Sequence, residues 1–510
     1  MPRKQITSQR RAKQAAKRLS AGRKGSPKQA SGARALAPIS TDLPPKRQSA
    51  KPRSEKFIDP HPSHKNKDVA RVGHPQNYQN PQVSQLVEIE KPLYGGAFLA
   101  RLEGKAVFVP LTLPGEQARV RITQSKSGYA TAEAEEILRA APQRIAPACQ
   151  HFGACGGCHY QHAEYASQLA FKQAILRETL LRGGVDAPAE IAVLSGEQWG
   201  YRNRIRLALD AAGNPGYRGR RSHSVVPLRE CPIAAPLLVE AALAFAEVAR
   251  RFAPALRPSE ISLFCNSDET ALLATVFTDA LPKMRFDDFA QALAEHIPML
   301  IGAELVVEGD PKLQPRTIAQ WGAASLDYRA AGFNYRVDHG AFFQVNRWLV
   351  DGLVERVIAG HAGKLAWDLF AGVGLFARQL TAHFEGVVAV ESAPASTLAL
   401  AKNLEGSSGN SFSGETLSFL RNQATRCADG APIPDLIVLD PPRTGLGAET
   451  CALLAQIAAP ALVCVSCDPA TLARDLRALV ASGYRIQSIT LADLFPQTFH
   501  LETVVQLRRA

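Results

Sequence analysis

From about residue 335 onward, short apolar runs alternate with stretches of helical spacing, and this rhythm restricts the fold more than any other feature of the chain. Leu365–Phe370 reads as a strand that feeds Ala371-Gly372-Val373-Gly374 and then a helix from about Leu375 to Ala382. Val387–Val390 is a second strand ending at Glu391. Asp435–Asp440, Ala461–Val465, Tyr484–Leu491 and Thr503–Leu507 follow. Strands separated by helices become parallel neighbours through crossovers, so the pattern predicts a doubly wound α/β sheet with ligands at the strands' carboxyl ends.

The stretch Val463-Cys464-Val465-Ser466-Cys467-Asp468-Pro469 is the sharpest local signal in that region. An apolar strand runs into Asp468, an N-cap residue type, and Pro469 suits the first helical turn. Cys467 therefore stands where a strand ends and a helix begins, a position whose dipole favours a thiolate. The plain alternative is a buried core cysteine.

The net charge of +12 is unevenly distributed. Residues 1–80 carry 19 Lys and Arg against Asp42, Glu55, Asp59 and Asp68, so the remainder is slightly acidic. With few large aliphatics, residues 1–82 are expected to be a disordered basic tail, either an RNA-attracting arm or a tail without a specific role. A transit peptide fits this Lys-rich segment less well. No run of 18 apolar residues occurs and the first residues lack an apolar signal core, so neither a membrane span nor secretion is expected. Nine cysteines, an odd number, point to a reducing, cytoplasmic setting with metal-binding or catalytic thiols rather than a disulfide framework.

Between residues 84 and 141 short strands and tight turns predict a small β-barrel, with strands near Val87–Lys91, Ala97–Leu102, Ala106–Pro110, Ala118–Thr123 and Ala130–Ile137. Residues 142–333 read as a central α+β domain. It opens with Cys149, Cys155 and Cys158, and Cys231 follows much later. Gly156 and Gly157 let the backbone wrap a metal centre, and four thiolates suit either tetrahedral zinc or an iron–sulfur cluster. Tyr165–Arg182 reads as a helix. Tyr201–Leu209 alternates, with Arg202, Arg204 and Arg206 on one face, and Tyr217 interleaves with further arginines. That basic, aromatic surface could follow an RNA backbone and stack a base, or be a solvated strand face. Helices are expected near 236–251 and 285–296.

Asp368 before the Gly-x-Gly loop, Glu391 at the end of the next strand and the later Asp440-Pro441-Pro442 fit a class I methyltransferase better than a dehydrogenase, since the loop lacks a third glycine. Glu391 lies 23 residues after Asp368, near the offset at which a carboxylate meets a ribose hydroxyl. Phe342-Phe343-Gln344-Val345-Asn346, Asp368-Leu369-Phe370-Ala371-Gly372-Val373-Gly374, Asp440-Pro441-Pro442-Arg443-Thr444-Gly445, Ser466-Cys467-Asp468-Pro469, Asp493-Leu494-Phe495-Pro496 and His500-Leu501-Glu502 together resemble the RNA uracil-C5 methyltransferases. The segment from Gly95 to Glu116 resembles a TRAM domain, an OB-like RNA-binding barrel. With the four cysteines, the chain is similar to the iron–sulfur branch that methylates 23S ribosomal RNA.

The resemblance covers residues 84–510, with the methyltransferase domain at 334–510, and implies specific roles. Gln344, Phe370, Gly372, Glu391 and Asp440, with Glu415 as a further candidate, would contact S-adenosyl-L-methionine. Cys467 would be the nucleophile and Glu502 the general base. Cys149, Cys155, Cys158 and Cys231 would hold a 4Fe-4S cluster. RNA is the implied partner, and no obligate protein partner is evident. The chain departs from the family pattern in having Asp468 and Leu375 where Asn is expected, and Ala371 where Cys is. Asp468 beside Cys467 opposes a thiolate unless it is spent capping the helix or paired with Arg474. Two other readings stay open: a transfer RNA uracil-C5 methyltransferase, and a non-catalytic RNA-binding assembly factor.

Overall fold

Alternation of small apolar and charged residues closes the first described segment on itself. The computed structural model describes residues 84–308 and 315–510, so the expected basic tail at 1–82 lies outside the described residues. Strands β1 (Ser84–Pro92), β2 (Ala97–Leu102), β3 (Lys105–Pro110), β4 (Gln117–Ser125) and β5 (Tyr129–Arg139) form a closed barrel in the order β1-β2-β3-β5-β4. Glu103 and Gly104 between β2 and β3 both have positive φ, the conformation a two-residue hairpin needs. Val87, Ile89, Phe98, Val107, Val109 and Val120 fill the interior, and Tyr160 and Phe171 pack onto it from the segment that follows.

That segment leads into α1 (Tyr165–Arg182), as the sequence predicts, and β6 (Ala192–Leu194). The next elements are β7 (Arg204–Leu209), β8 (Pro215–Arg218), β9 (Val225–Pro227), α2 (Pro236–Leu256), β10 (Pro258–Cys265), β11 (Leu272–Thr278), α3 (Phe286–His296), β12 (Leu300–Val307) and β13 (Arg316–Gly322). The seven strands β7 to β13 make one sheet in the order β13-β12-β11-β10-β7-β8-β9, with the apolar faces of α2 and α3 against it. Ile205 and Leu207 are buried in that core, as the alternation requires.

A hairpin of β14 (Ser325–Ala330) and β15 (Phe333–Asp338) precedes the strand–helix region: α4 (Val350–Ile358), β16 (Gly363–Leu369), α5 (Leu375–Leu380), β17 (Phe384–Glu391), α6 (Pro394–Leu404), β18 (Gly409–Ser413), α7 (Thr416–Ala428), β19 (Leu436–Leu439), α8 (Gly447–Ile457), β20 (Ala461–Ser466), α9 (Pro469–Ala481), β21 (Tyr484–Ala492) and β22 (Glu502–Arg509). The strand order is β18-β17-β16-β19-β20-β22-β21-β6. Pairing is parallel except at β22, which runs antiparallel to β20 and β21. Leu436, Val438, Val463 and Val465 face one core, while Ile437, Leu439, Leu462 and Cys464 face the other. Helices thus cover both faces. Each fully buried aliphatic contributes roughly 1.5–3 kcal/mol.

The sheet also incorporates elements from far upstream. Strand β6 pairs in parallel with β21, and Ile175, Leu176 and Leu180 of α1 share a core with Leu472 and Leu476 of α9. The order in which strands are added reverses at β16, whose parallel neighbours are β17 on one side and β19 on the other. The carboxyl ends of these strands form the crevice where such sheets bind ligands.

Candidate active site

The register between β20 and β22 brings the two most distinctive side chains together. Ser466 pairs with Thr503 across the antiparallel ladder. The residue after Ser466 is Cys467 and the residue before Thr503 is Glu502, so the two occupy adjoining strand ends. Asp440 stands at the end of β19, the parallel neighbour of β20. Burial pushes the Cys467 thiol up to about 12. Glu502 and then Asp440 add to the rise, and Arg443 opposes it. The helix terminus favours a thiolate, but burial and two carboxyl groups outweigh it here. Burial likewise raises Glu502 well above the carboxylate range, aided by Asp440, and raises Asp440 to about 7.

Asp468 is spent on capping. Its Oδ1 accepts the Ala470 and Thr471 amides at 3.0 and 2.9 Å. Arg474 does not pair with it. That guanidinium binds Asp475 at 2.8 Å and the Thr444 carbonyl. Arg443 donates to His500 Nδ1 at 3.1 Å. Burial and the neighbouring guanidinium hold His500 near 3, so it is a neutral acceptor.

The loop after β16 supplies the second half of the site. Phe370, Gly372 and Gly374 all have positive φ. A Cβ on Gly374 would lie 2.7 Å from Leu400, whereas one on Gly372 would meet only the Phe342 carbonyl at 4.0 Å, so the backbone at Gly372 is open to a ligand. Glu391 at the end of β17 accepts the Gly372 amide at 2.8 Å and those of Ser392 and Ala393 at 2.7 Å each. Gln344 reaches Asp440 at 3.4 Å. Asp368 is fully buried. Its Oδ2 accepts the Ala377 amide at 2.7 Å while Oδ1 has no partner among the described residues, and burial lifts it to about 8. Backbone approach at a glycine, a carboxylate at the second strand's end and buried acids without a matching cation suit S-adenosyl-L-methionine, whose sulfonium is positive. Glu415 lies further out, exposed before α7, where its side chain caps nothing.

Cys149, Cys155, Cys158 and Cys231 line one cavity of about 230 Å³, together with Arg202, Tyr217 and His500. Among the described residues no group of three or more His, Cys, Asp or Glu side chains is placed to hold a metal ion; the thiols surround a space rather than meet at a point. Burial raises all four thiols, and Cys231 adds to the rise at the other three. Arg202 is buried beside them with its Nε unpartnered. Four thiols around one cavity beside a guanidinium are a donor set that suits a thiolate-ligated metal centre, zinc or iron–sulfur.

Part of the arginine and tyrosine set at Arg202, Arg204, Arg206 and Tyr217 is engaged within the fold, while the Arg206 and Arg218 side chains stay about half exposed. Arg204 donates to the Ala341 carbonyl at 2.7 Å and stacks on Phe264, and Arg206 pairs with Glu260 and Glu308. Arg218 shares Glu260, and the Tyr217 hydroxyl turns to Cys231 Sγ at 3.7 Å. Acidic partners on β10 and after β12 neutralise the strand face, and the tyrosine is drawn into the cysteine cavity.

The sequence reading did not assign Tyr94, whose hydroxyl donates to Asp468 Oδ2 at 3.3 Å from 374 residues away. No periodicity signals so distant a contact. Arg443 and His500 lay inside quoted motifs, and only their meeting in space gives them a role.

Comparison with known proteins agrees with this architecture. The tRNA (Uracil-5-)-methyltransferase family model matches residues 321–510, and the TRAM domain model matches residues 84–134. An uncharacterized RNA methyltransferase of Streptomyces avermitilis is 34% identical over 447 residues, covering 83% of this chain and 98% of its own. A 23S rRNA (uracil(1939)-C(5))-methyltransferase of Azoarcus sp. is 34% identical over 443 residues, covering 82% and 99%. The solved structure of Pyrococcus abyssi tRNA (uracil-54, C5)-methyltransferase with S-adenosyl-L-homocysteine shares the fold, with a TM-score of 0.66 and 23% identity, over 82% of this chain and 99% of that one. Identity at this level along nearly the whole length of such relatives, on a sheet that sets Cys467 beside Glu502, makes the chain a member of the RNA uracil-C5 methyltransferase family.

Proposed function

We propose that this protein transfers a methyl group from S-adenosyl-L-methionine to carbon 5 of a uridine in RNA, and that the RNA is 23S ribosomal RNA. The adjoining ends of β20 and β22, which put a thiol and a carboxyl group side by side, carry the reading of the chemistry. The names and coverage of the rRNA-modifying relatives support the choice of RNA.

Carbon 5 of uracil is a weak nucleophile. Cys467 first gives up its proton to solvent; the thiolate then adds to carbon 6, forming an S–C6 bond and moving the ring electrons toward O4 as an enolate. The methyl donor supplies an electrophilic carbon, which carbon 5 captures as the S–CH3 bond breaks. Glu502 in its carboxylate form then removes the carbon-5 proton; the C5–C6 double bond re-forms and Cys467 leaves. Glu502 is buried and forms no ion pair among the described residues; burial outweighs the opposing charge of Arg443, which makes it a stronger base than a solvated carboxylate once ionised. The target base must leave its stack to reach this buried edge. The barrel, matched by the TRAM model, is the reading's RNA-gripping module.

We assign a 4Fe-4S cluster to Cys149, Cys155, Cys158 and Cys231, supported by their shared cavity and by the buried Arg202. It would hold the surrounding segment in shape and requires the reducing, cytoplasmic setting that we also propose. The test of the main reading is methyl transfer to ribosomal RNA by Cys467→Ala. Loss of 5-methyluridine is expected, and undiminished product would overturn the mechanism. Methylation confined to transfer RNA would favour the alternative substrate.

A further inference from the structure

The turn between β1 and β2, on the barrel, reaches the catalytic strand end. Tyr94 sits in that turn, which the Leu93 amide closes onto the Ala97 carbonyl at 2.9 Å. Its ring stands edge-on to Phe499 at 5.5 Å, and its hydroxyl donates to Asp468 Oδ2 at 3.3 Å. The Asp468 carboxylate is thereby divided: Oδ1 caps α9 and Oδ2 holds the phenol. The neighbouring residue is the thiol assigned as nucleophile.

We propose that Tyr94 is a positioning residue for Cys467: by holding Asp468 Oδ2, the barrel damps the negative charge next to the thiol. The inference rests on the reading of Cys467 as nucleophile. Four charged or titratable groups besides the phenol bear on the thiol: Glu502 from β22, Asp440 and Arg443 from the end of β19, and Asp468 beside it. Only Arg443 favours the thiolate. In that setting a hydroxyl proton turned toward the carboxylate of Asp468, the residue next to the nucleophile in the chain, has a direct electrostatic consequence. Asp468 and Cys467 both resist ionisation of the Tyr94 phenol, as expected for groups packed together, so the phenol stays a donor. The barrel is then a wall of the active site as well as an RNA module.

The test is the rate at which iodoacetamide alkylates Cys467 in the full chain, followed on its peptide by mass spectrometry from pH 6 to 9. This readout needs no turnover. In Tyr94→Phe the ring stays on Phe499 and only the donor is lost. The thiol should become about half a pH unit harder to ionise, which lowers the alkylation rate roughly threefold throughout that pH range. Asp468→Asn should alkylate faster than the parent chain, and adding Tyr94→Phe to it should change nothing further. An unmoved rate in Tyr94→Phe, or the same threefold drop in the Asp468→Asn background, would overturn the proposal. Methyl transfer surviving in Cys467→Ala would instead overturn the nucleophile reading and leave the alkylation result standing.

Discussion

Lys172 and Asp493 form an ion pair with both side chains fully buried, and removing one partner should cost far more than removing both charges. Lys172 Nζ lies 2.5 Å from Asp493 Oδ1 and donates to the Phe495 carbonyl at 2.9 Å, while the Tyr165 hydroxyl holds Asp493 Oδ2 at 2.9 Å. Burial pulls Lys172 down and the carboxylate holds it up. Lys172→Met leaves an uncompensated buried carboxylate, at a cost of about 3–5 kcal/mol. Unfolding entropy near 2.1 cal/mol/K per residue over roughly 420 described residues is about 0.9 kcal/mol/K, so a loss of about 4 kcal/mol lowers Tm by roughly 4–5 °C. Lys172→Met/Asp493→Asn removes both charges and keeps an acceptor for Tyr165. It should recover more than half of the loss. Thermal unfolding of the three proteins at pH 7.5 decides it. A single variant that melts within 1 °C of the parent, or a double variant worse than the single, would refute the reasoning. The pair also anchors the loop that leads from β21 to Glu502, so the single variant should lose methyl transfer beyond its loss of stability.

Glu502→Gln should add to carbon 6 and methylate carbon 5 yet fail to strip the proton, so a protein–RNA adduct stable to denaturing gels should accumulate as turnover falls about 10²–10⁴-fold. Asp368 is raised from 3.8 to about 8, so its contribution to stability is present below pH 4 and lost as pH climbs through 8. Asp368→Asn keeps the bond from Ala377, and its Tm relative to the parent chain should rise steadily from pH 5 to pH 9; a flat difference would contradict the assigned burial. Protein purified without oxygen should contain about four irons and four sulfides per chain, the stoichiometry of a 4Fe-4S centre, and Cys158→Ser should lose them.

Local chemistry made part of this molecule legible. Two-residue turns, in–out alternation and the Asp468-Pro469 helix start are written within a few residues of one another, and the barrel, β20 and α9 follow them closely. Cys467, Phe370, Gly372, Glu391 and Asp440 lie at or just past the carboxyl ends of parallel strands, where such a sheet collects its ligands, while Glu502 opens the antiparallel β22 and Gln344 comes from the loop before α4. At the arginine face of β7 charge pattern alone does not reveal partners: Glu260 and Glu308 lie 54 and 102 residues from Arg206. The same limit hid the placement of α1 and β6, which look like parts of the central α+β segment yet pack on the methyltransferase sheet.

Those distant insertions explain how the site is held. The loop between β21 and β22 is largely buried, with Leu494, Thr498 and Leu501 shielded from solvent, and segments from outside the sheet hold it there. The His159 and Tyr160 amides, just after Cys158, both donate to the Gln497 carbonyl, at 2.8 and 3.0 Å. The Tyr201 hydroxyl holds the Pro496 carbonyl at 3.0 Å, and Gln168 binds both the amide and the side chain of Gln497. Gln497 has a φ of 69°, a strained value for a non-glycine residue that persists because these bonds over-determine it. Five residues later the chain enters β22 at Glu502. The backbone just after Cys158 is therefore tied through Gln497 to the chain that enters β22 at Glu502, the residue proposed as general base.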